Sequence, residues 1–161
     1  MGSEEARTPF ERVELAMLQL GWLGQRQFMQ LLAEEQFGLT VPQFYTLLHL
    51  SLWQGECKMS DLARATHQSA ASLTGVIDRL LDKQLVQRER PEGDRRQVMV
   101  YVTERGHVLL KEIKYVRSQA VRSACGDMSV SDVDVFLRLL ERICAGMTRE
   151  IEGRGNLHET R

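Results

Sequence analysis

The sequence lacks the marks of a secreted, membrane-spanning or catalytic protein. Its three cysteines, Cys57, Cys125 and Cys144, form no CxxC pair and cannot all pair within one chain. That usage favours a reducing cytosol over a disulfide scaffold. No apolar run approaches the roughly 18 residues needed to cross a bilayer. The opening MGSEEARTPF has neither the basic region nor the apolar core of a signal peptide, so the expected location is cytoplasmic. His49, His67, His107 and His158 fall at no ligand spacing with one another or with the cysteines, and no metal site is expected. There is no nucleophile–base pair and no Gly-rich phosphate loop. An enzyme is therefore the least favoured class, and no cofactor is expected.

Net charge is the remaining shortage. The total of −1 gives no basic footprint of the kind a nucleic-acid binder carries. Distribution restores a little of it. Residues 1–37 hold three Arg against six Asp/Glu, whereas residues 58–96 hold eight Lys/Arg against six acids. Phosphate contacts from that second stretch should come from a few placed arginines and helix N-termini, not from a broad positive surface.

What is present is ordinary globular material. The chain has 161 residues, 43% apolar and 27% charged, which fits one domain with long flanking helices. From Pro9 to about Gln36 apolar residues recur at helical spacing, including Phe10, Val13, Met17, Leu20, Leu23, Phe28, Leu31 and Leu32. Phe37-Gly38 ends this first helix, since Gly suits the left-handed residue after a helix. Thr40 caps a second, with Val41-Pro42 in its first turn, and Gln54-Gly55-Glu56 breaks it.

Residues 58 to 106 carry the organising pattern. Met59, Leu62, Ala63 and Thr66 share one face of a short helix. After a break at His67-Gln68, Leu73, Val76, Ile77, Leu80 and Leu81 mark another, capped by Ser69. Leu85-Val86 begins a strand, Pro91-Glu92-Gly93-Asp94 is a turn, and Gln97 to Thr103 returns with Val98, Val100 and Val102 alternating. Helix, turn, helix and hairpin in that order predict a winged helix-turn-helix. Thr103 then begins a long helix through Val108, Leu109, Ile113, Val116 and Ala120, fading near Gly126. Ser129 or Ser131 caps a last one through Val133, Phe136, Leu137, Leu140, Ile143, Cys144 and Met147, with a frayed polar tail from Gly153. The fold class is mainly α with a small β-hairpin wing. The first and last helices carry more apolar surface than one small winged helix covers, and a second copy is the economical partner.

These residues together resemble the MarR family of transcriptional regulators over nearly the whole chain. Leu39-Thr40-x-x-Gln43-Phe44-x-x-Leu47-x-x-Leu50 resembles the family's second helix, and Asp61-Leu62-Ala63 its third. Thr74-x-x-Ile77-Asp78-Arg79-Leu80 resembles its recognition helix. Asp94-Arg95-Arg96 with Val100-x-Val102-Thr103-x-x-Gly106 resembles its wing and the start of its fifth helix. The resemblance implies one domain over 1–161: a reader at about 40–106, dimerisation helices at about 9–37 and 107–152, and a tail at 153–161. It further implies a cytoplasmic homodimer whose two recognition helices enter major grooves of a pseudo-palindromic operator on double-stranded DNA, with half-sites roughly 10 base pairs apart. Most members repress transcription and release DNA when a small, often phenolic or aromatic, effector binds.

Residue roles follow. Ser69, Ala70, Ser72 and Thr74 lie in the first turns of the recognition helix, where hydroxyls reach bases or phosphates and Ala meets a thymine methyl. Arg79 is the phosphate candidate of that helix, with Asp78 orienting it or the wing. Arg96 matches the family's minor-groove arginine, braced by Asp94, while Arg95 and Arg90 suit phosphates. Two positions depart from the pattern. Gly75 stands where relatives often carry a long polar side chain, which shifts weight toward DNA shape and the wing. Gln84 stands where they usually place the glycine that ends the helix. Trp22, Phe28, Phe44, His49 and Tyr115 are the candidates for an effector pocket. Two other functions fit the same sequence: a thiol-based redox regulator, for which Cys57 beside Lys58 in a loop is the one thiol to test, and a winged helix used as a protein-interaction module.

Overall fold

The computed structural model describes residues 8–53, 57–66, 68–89 and 99–158, with the backbone alone at 58 and 154–158. In chain order the elements are α1 (Pro9–Ala33), α2 (Val41–Leu52), β1 (Cys57–Lys58), α3 (Met59–Ala65), α4 (Ala70–Asp82), β2 (Val86–Glu89), β3 (Met99–Val102), α5 (Glu104–Ala124) and α6 (Val130–His158). Two compact units divide the chain between Arg117 and Ser118. The expected break at Gln54-Gly55-Glu56, His67 and the hairpin turn at 91–94 lie outside the described residues.

Local chemistry explains where the helices begin. Thr40 accepts a hydrogen bond from the Gln43 amide while the Gln43 side chain accepts one from the Thr40 amide, a reciprocal cap for α2. Thr8 and Glu11 form the same box at α1, and Ser129 with Asp132 does so at α6. Of the two serines expected to cap α6, Ser129 does so. α1 stops at Ala33, three residues before the expected end, because Glu34 N–H bonds back to the Leu31 carbonyl and tightens the last turn. Gly38, at φ +55°, then takes the left-handed position. α6 runs past Gly153 to His158.

In the first unit the core gathers Leu32 of α1, Leu47 and Leu50 of α2, Leu62 of α3, Leu73, Ile77 and Leu80 of α4, Val100 of β3 and Ile113 of α5. The three strands form one antiparallel sheet in the order β1-β3-β2, with Cys57 opposite Val100 and Val86 opposite Val102. Cys57 therefore sits in a strand, not in a loop as expected. Of β2 only Val86 is buried, while β3 buries Met99 and Val100, so the polar residues Gln87, Arg88 and Glu89 of β2 are the ones turned outward.

The joint at the hairpin's base is tight. A Cβ on Gly106 would meet the Leu85 carbonyl oxygen, and the Val102 Cγ1 at 2.7 Å. Thr103 Oγ1 donates to the Gln84 carbonyl at 2.8 Å and accepts from the Gly106 amide at 3.1 Å. The end of α4, the return strand and the start of α5 are thus bound together at one point.

Candidate nucleic-acid interface

α4 buries Leu73, Val76, Ile77 and Leu80, one unbroken stripe of spacing i, i+3, i+4, i+7. Of the rest, Ala70, Ala71, Ser72, Thr74, Gly75, Asp78 and Arg79 are all exposed, while Leu81 is half-buried against the core. The sequence-predicted reader residues Ser69, Ala70, Ser72, Thr74 and Arg79 are therefore each exposed. Ser69 is the cap, its Oγ accepting from the Ser72 amide at 3.2 Å. Thr74 Oγ1 donates to the Ala70 carbonyl at 2.9 Å, which leaves its lone pairs as the group offered outward. Among the described residues, a Cβ added at Gly75 would meet no neighbouring heavy atom within 4 Å.

Charge on this surface is paired in part. Asp78 Oδ1 lies 2.9 Å from Arg88 Nη2, linking α4 to β2. Arg79 has no carboxylate partner among the described residues. Asp61 and Arg64 of α3 form a second ion pair. Arg88 was not singled out in the sequence, because its partner lies ten positions away in another element and no periodicity joins them.

The end of α4 resolves the departure at position 84. Leu85 N–H bonds to the Leu80 carbonyl at 3.0 Å and Gln84 N–H to the Leu81 carbonyl at 2.8 Å, the two bonds of a Schellman motif. Gln84 takes φ +59°, the left-handed position usually given to glycine. The helix thus ends in the glycine-type geometry without the glycine. Arg90, Asp94, Arg95 and Arg96 lie outside the described residues.

The effector candidates are placed unevenly. Phe28 and Phe44 are buried and meet edge to face with ring centroids 4.9 Å apart, and Tyr45 joins them at 5.4 Å from Phe44. The Arg117 guanidinium lies over the Phe28 ring at 4.5 Å, a cation–π contact between distant elements that no local spacing encodes. His49 is half-buried, while Trp22 and Tyr115 are exposed. Cys57 is buried, and desolvation, with the Asp61 carboxylate adding to it, pushes its thiol from 9.0 up to about 11 against a smaller opposing effect of the Leu62 amide. At neutral pH such a thiol is almost wholly protonated, the wrong state for a nucleophile. No helix among the described residues is long and apolar enough to cross a membrane.

This arrangement is a winged-helix DNA reader with long outer helices, and comparison with known proteins agrees. The family model described as MarR family matches residues 37–97. The transcriptional repressor NicR of Pseudomonas putida is 32% identical over 105 residues, covering 65% of this chain and 66% of that protein. The crystal structure of AbsC, a MarR family transcriptional regulator from Streptomyces coelicolor, is 30% identical with a TM-score of 0.61 over 88% of this chain and 97% of AbsC. A mutant of S. aureus MepR bound to an oligodeoxyribonucleotide shares the fold at 18% identity, with a TM-score of 0.68 over 84% of this chain and 97% of MepR. The chain belongs to the MarR family and is a DNA-binding transcriptional regulator.

Proposed function

We propose that the protein acts in the cytoplasm as a homodimeric repressor that binds a pseudo-palindromic operator and is released by a small aromatic effector. The observation that carries this reading is α4, whose inner stripe is buried and whose outer residues from Ser69 to Arg79 are exposed among the described residues. On this reading Ser69, Ala70, Ser72 and Thr74 meet bases or phosphates, Arg79 and Arg90 meet phosphates, and Arg96, braced by Asp94 with Arg95 beside it, enters a minor groove. NicR, a relative named as a repressor, supports the sign of regulation, and MepR bound to DNA supports duplex DNA as the partner.

Dimerisation is supported by what the outer helices leave uncovered. Phe10, Val13, Leu20, Trp22 and Leu23 of α1 are exposed, as are Val133, Phe136, Leu137 and Met147 of α6. So much apolar surface on two helices calls for a protein partner, and a second copy supplies a matching one. For the effector, the aromatic group of Phe28 and Phe44, with His49, Trp22 and Tyr115 on the same elements or on α5, offers stacking faces and Arg117 a cation.

Selection of bound sequences from random duplex DNA tests the reading, and a pseudo-palindrome with half-sites about one helical turn apart is expected. Enrichment of single, unpaired sites would remove the dimeric operator. Arg96→Ala should weaken operator binding by about 1–3 kcal/mol with the dimer intact. An unchanged gel-shift affinity would take the wing out of the reader.

A further inference from the structure

One polar link crosses the core side of the reader. Thr46 of α2 is fully buried, 0% exposed. Its Oγ1 accepts a hydrogen bond from Gln68 Nε2 at 3.0 Å, a contact between residues 22 positions apart. Gln68 lies immediately before Ser69, the cap of α4. Its own amide N–H bonds to the Ala63 carbonyl at 3.0 Å, and its Oε1 accepts from Ser72 Oγ at a long 3.5 Å. The side chain of Gln68 is therefore held at both ends, by a buried hydroxyl behind it and by a reader hydroxyl in front.

A buried hydroxyl left unpaired is costly, so Thr46 fixes where the Gln68 amide must sit. The backbone bond to Ala63 fixes the same residue to α3. With both in place, the start of α4 has one position relative to α2, and the Ser72 hydroxyl has one favoured direction. Burial of Leu73 and Ile77 is non-directional, so on this inference the polar link adds the directional constraint that opposes a small rotation of α4 about its own axis. Such a rotation would move Ser72 and Thr74 along the groove while leaving the fold intact.

We infer that Gln68, held by Thr46, is a positioning residue that sets the recognition helix for sequence discrimination and adds little to general DNA affinity. The inference rests on the reading of α4 as the DNA reader. It touches no base itself; it acts through Ser72 and the cap.

The test uses the full chain and two duplexes at one salt concentration, an operator obtained by selection and an unrelated sequence. Gln68→Ala and the nearly isosteric Thr46→Val are measured alone and together, with melting temperatures recorded beside them. Each single variant should lower the ratio of operator to unrelated affinity by about tenfold, with unrelated binding unchanged. The double variant should lose no more than either single one, since both cut the same link. A merely structural role lowers the melting temperature and leaves the ratio alone, and that result overturns the inference. Additive losses also overturn it. A parent protein that binds both duplexes equally defeats the reader assignment itself, and the inference falls with it. A parent that discriminates while both variants match it defeats the inference alone.

Discussion

Gln84 holds a backbone conformation in which a side chain costs roughly 1–2 kcal/mol. Its side chain returns little, since the contact from Arg105 Nη1 to Oε1 is exposed and long at 3.5 Å. Glycine removes the strain but gains more freedom in the unfolded chain. The balance favours Gln84→Gly by about 0.5–1 kcal/mol, read as a higher urea midpoint. A lower midpoint would mean that the Arg105 contact outweighs the strain. Cys57 makes a separate statement. Its folded pKa, about 11, stands above the 9.0 of an unperturbed thiol, so the unfolded chain gives up the proton first as pH rises. The thiol's contribution to stability is therefore whole below pH 9 and falls between pH 9 and 11. Cys57→Ser, which does not ionise there, should lose less stability than the parent across that window. The same protonation makes organic hydroperoxide without effect on operator affinity the expected outcome, and a loss of affinity abolished by Cys57→Ser would restore the redox reading.

At the scale of elements, what could be read in advance was whatever is written locally. The caps Thr40 and Ser69 and the stripes of α2 and α4 lie within single segments, so spacing alone placed them. β1 could not be found that way. Two residues carry no periodicity, and their partner, β3, lies more than forty positions on. The Asp78–Arg88 pair and the Gln68–Thr46 bond are hidden for the same reason: each is a tertiary meeting of elements that are individually unremarkable. The early stop of α1 depended on one backbone bond at Glu34, which helix spacing does not encode. The joint between wing and α5 belongs to this scale too. Because the Leu85 carbonyl is backbone and cannot step aside, Gly106→Ala should cost about 2–3 kcal/mol by denaturant unfolding. A cost below 0.5 kcal/mol would mean the joint is looser than its geometry.

For the whole molecule the near-neutral charge and the uncovered helices lead to two measurements. If α6 meets a second copy, a charge placed on its apolar face should break the assembly, so Phe136→Glu should shift the sedimenting species toward monomer and weaken the dependence of the melting temperature on concentration that a dimer shows. Unaltered sedimentation would exclude that face. Operator binding should weaken with salt at a log–log slope near −0.9 per neutralised phosphate, whereas an interaction module would leave DNA binding flat or missing. Asp78 adjusts that slope, because it holds one of the few cations near the reader. Asp78→Asn frees Arg88 and should steepen the slope by about 1 for each phosphate gained.

The open space at Gly75 bears on how such a protein diverges. A mid-helix glycine costs roughly 1 kcal/mol relative to alanine, and nothing among the described residues demands one here. Replacement by any helix-compatible residue should leave the fold intact or firmer while changing the surface presented to a groove. Stability and specificity are therefore uncoupled at this position. A gene duplicate could acquire a new set of target promoters through a single codon, with no intermediate that fails to fold.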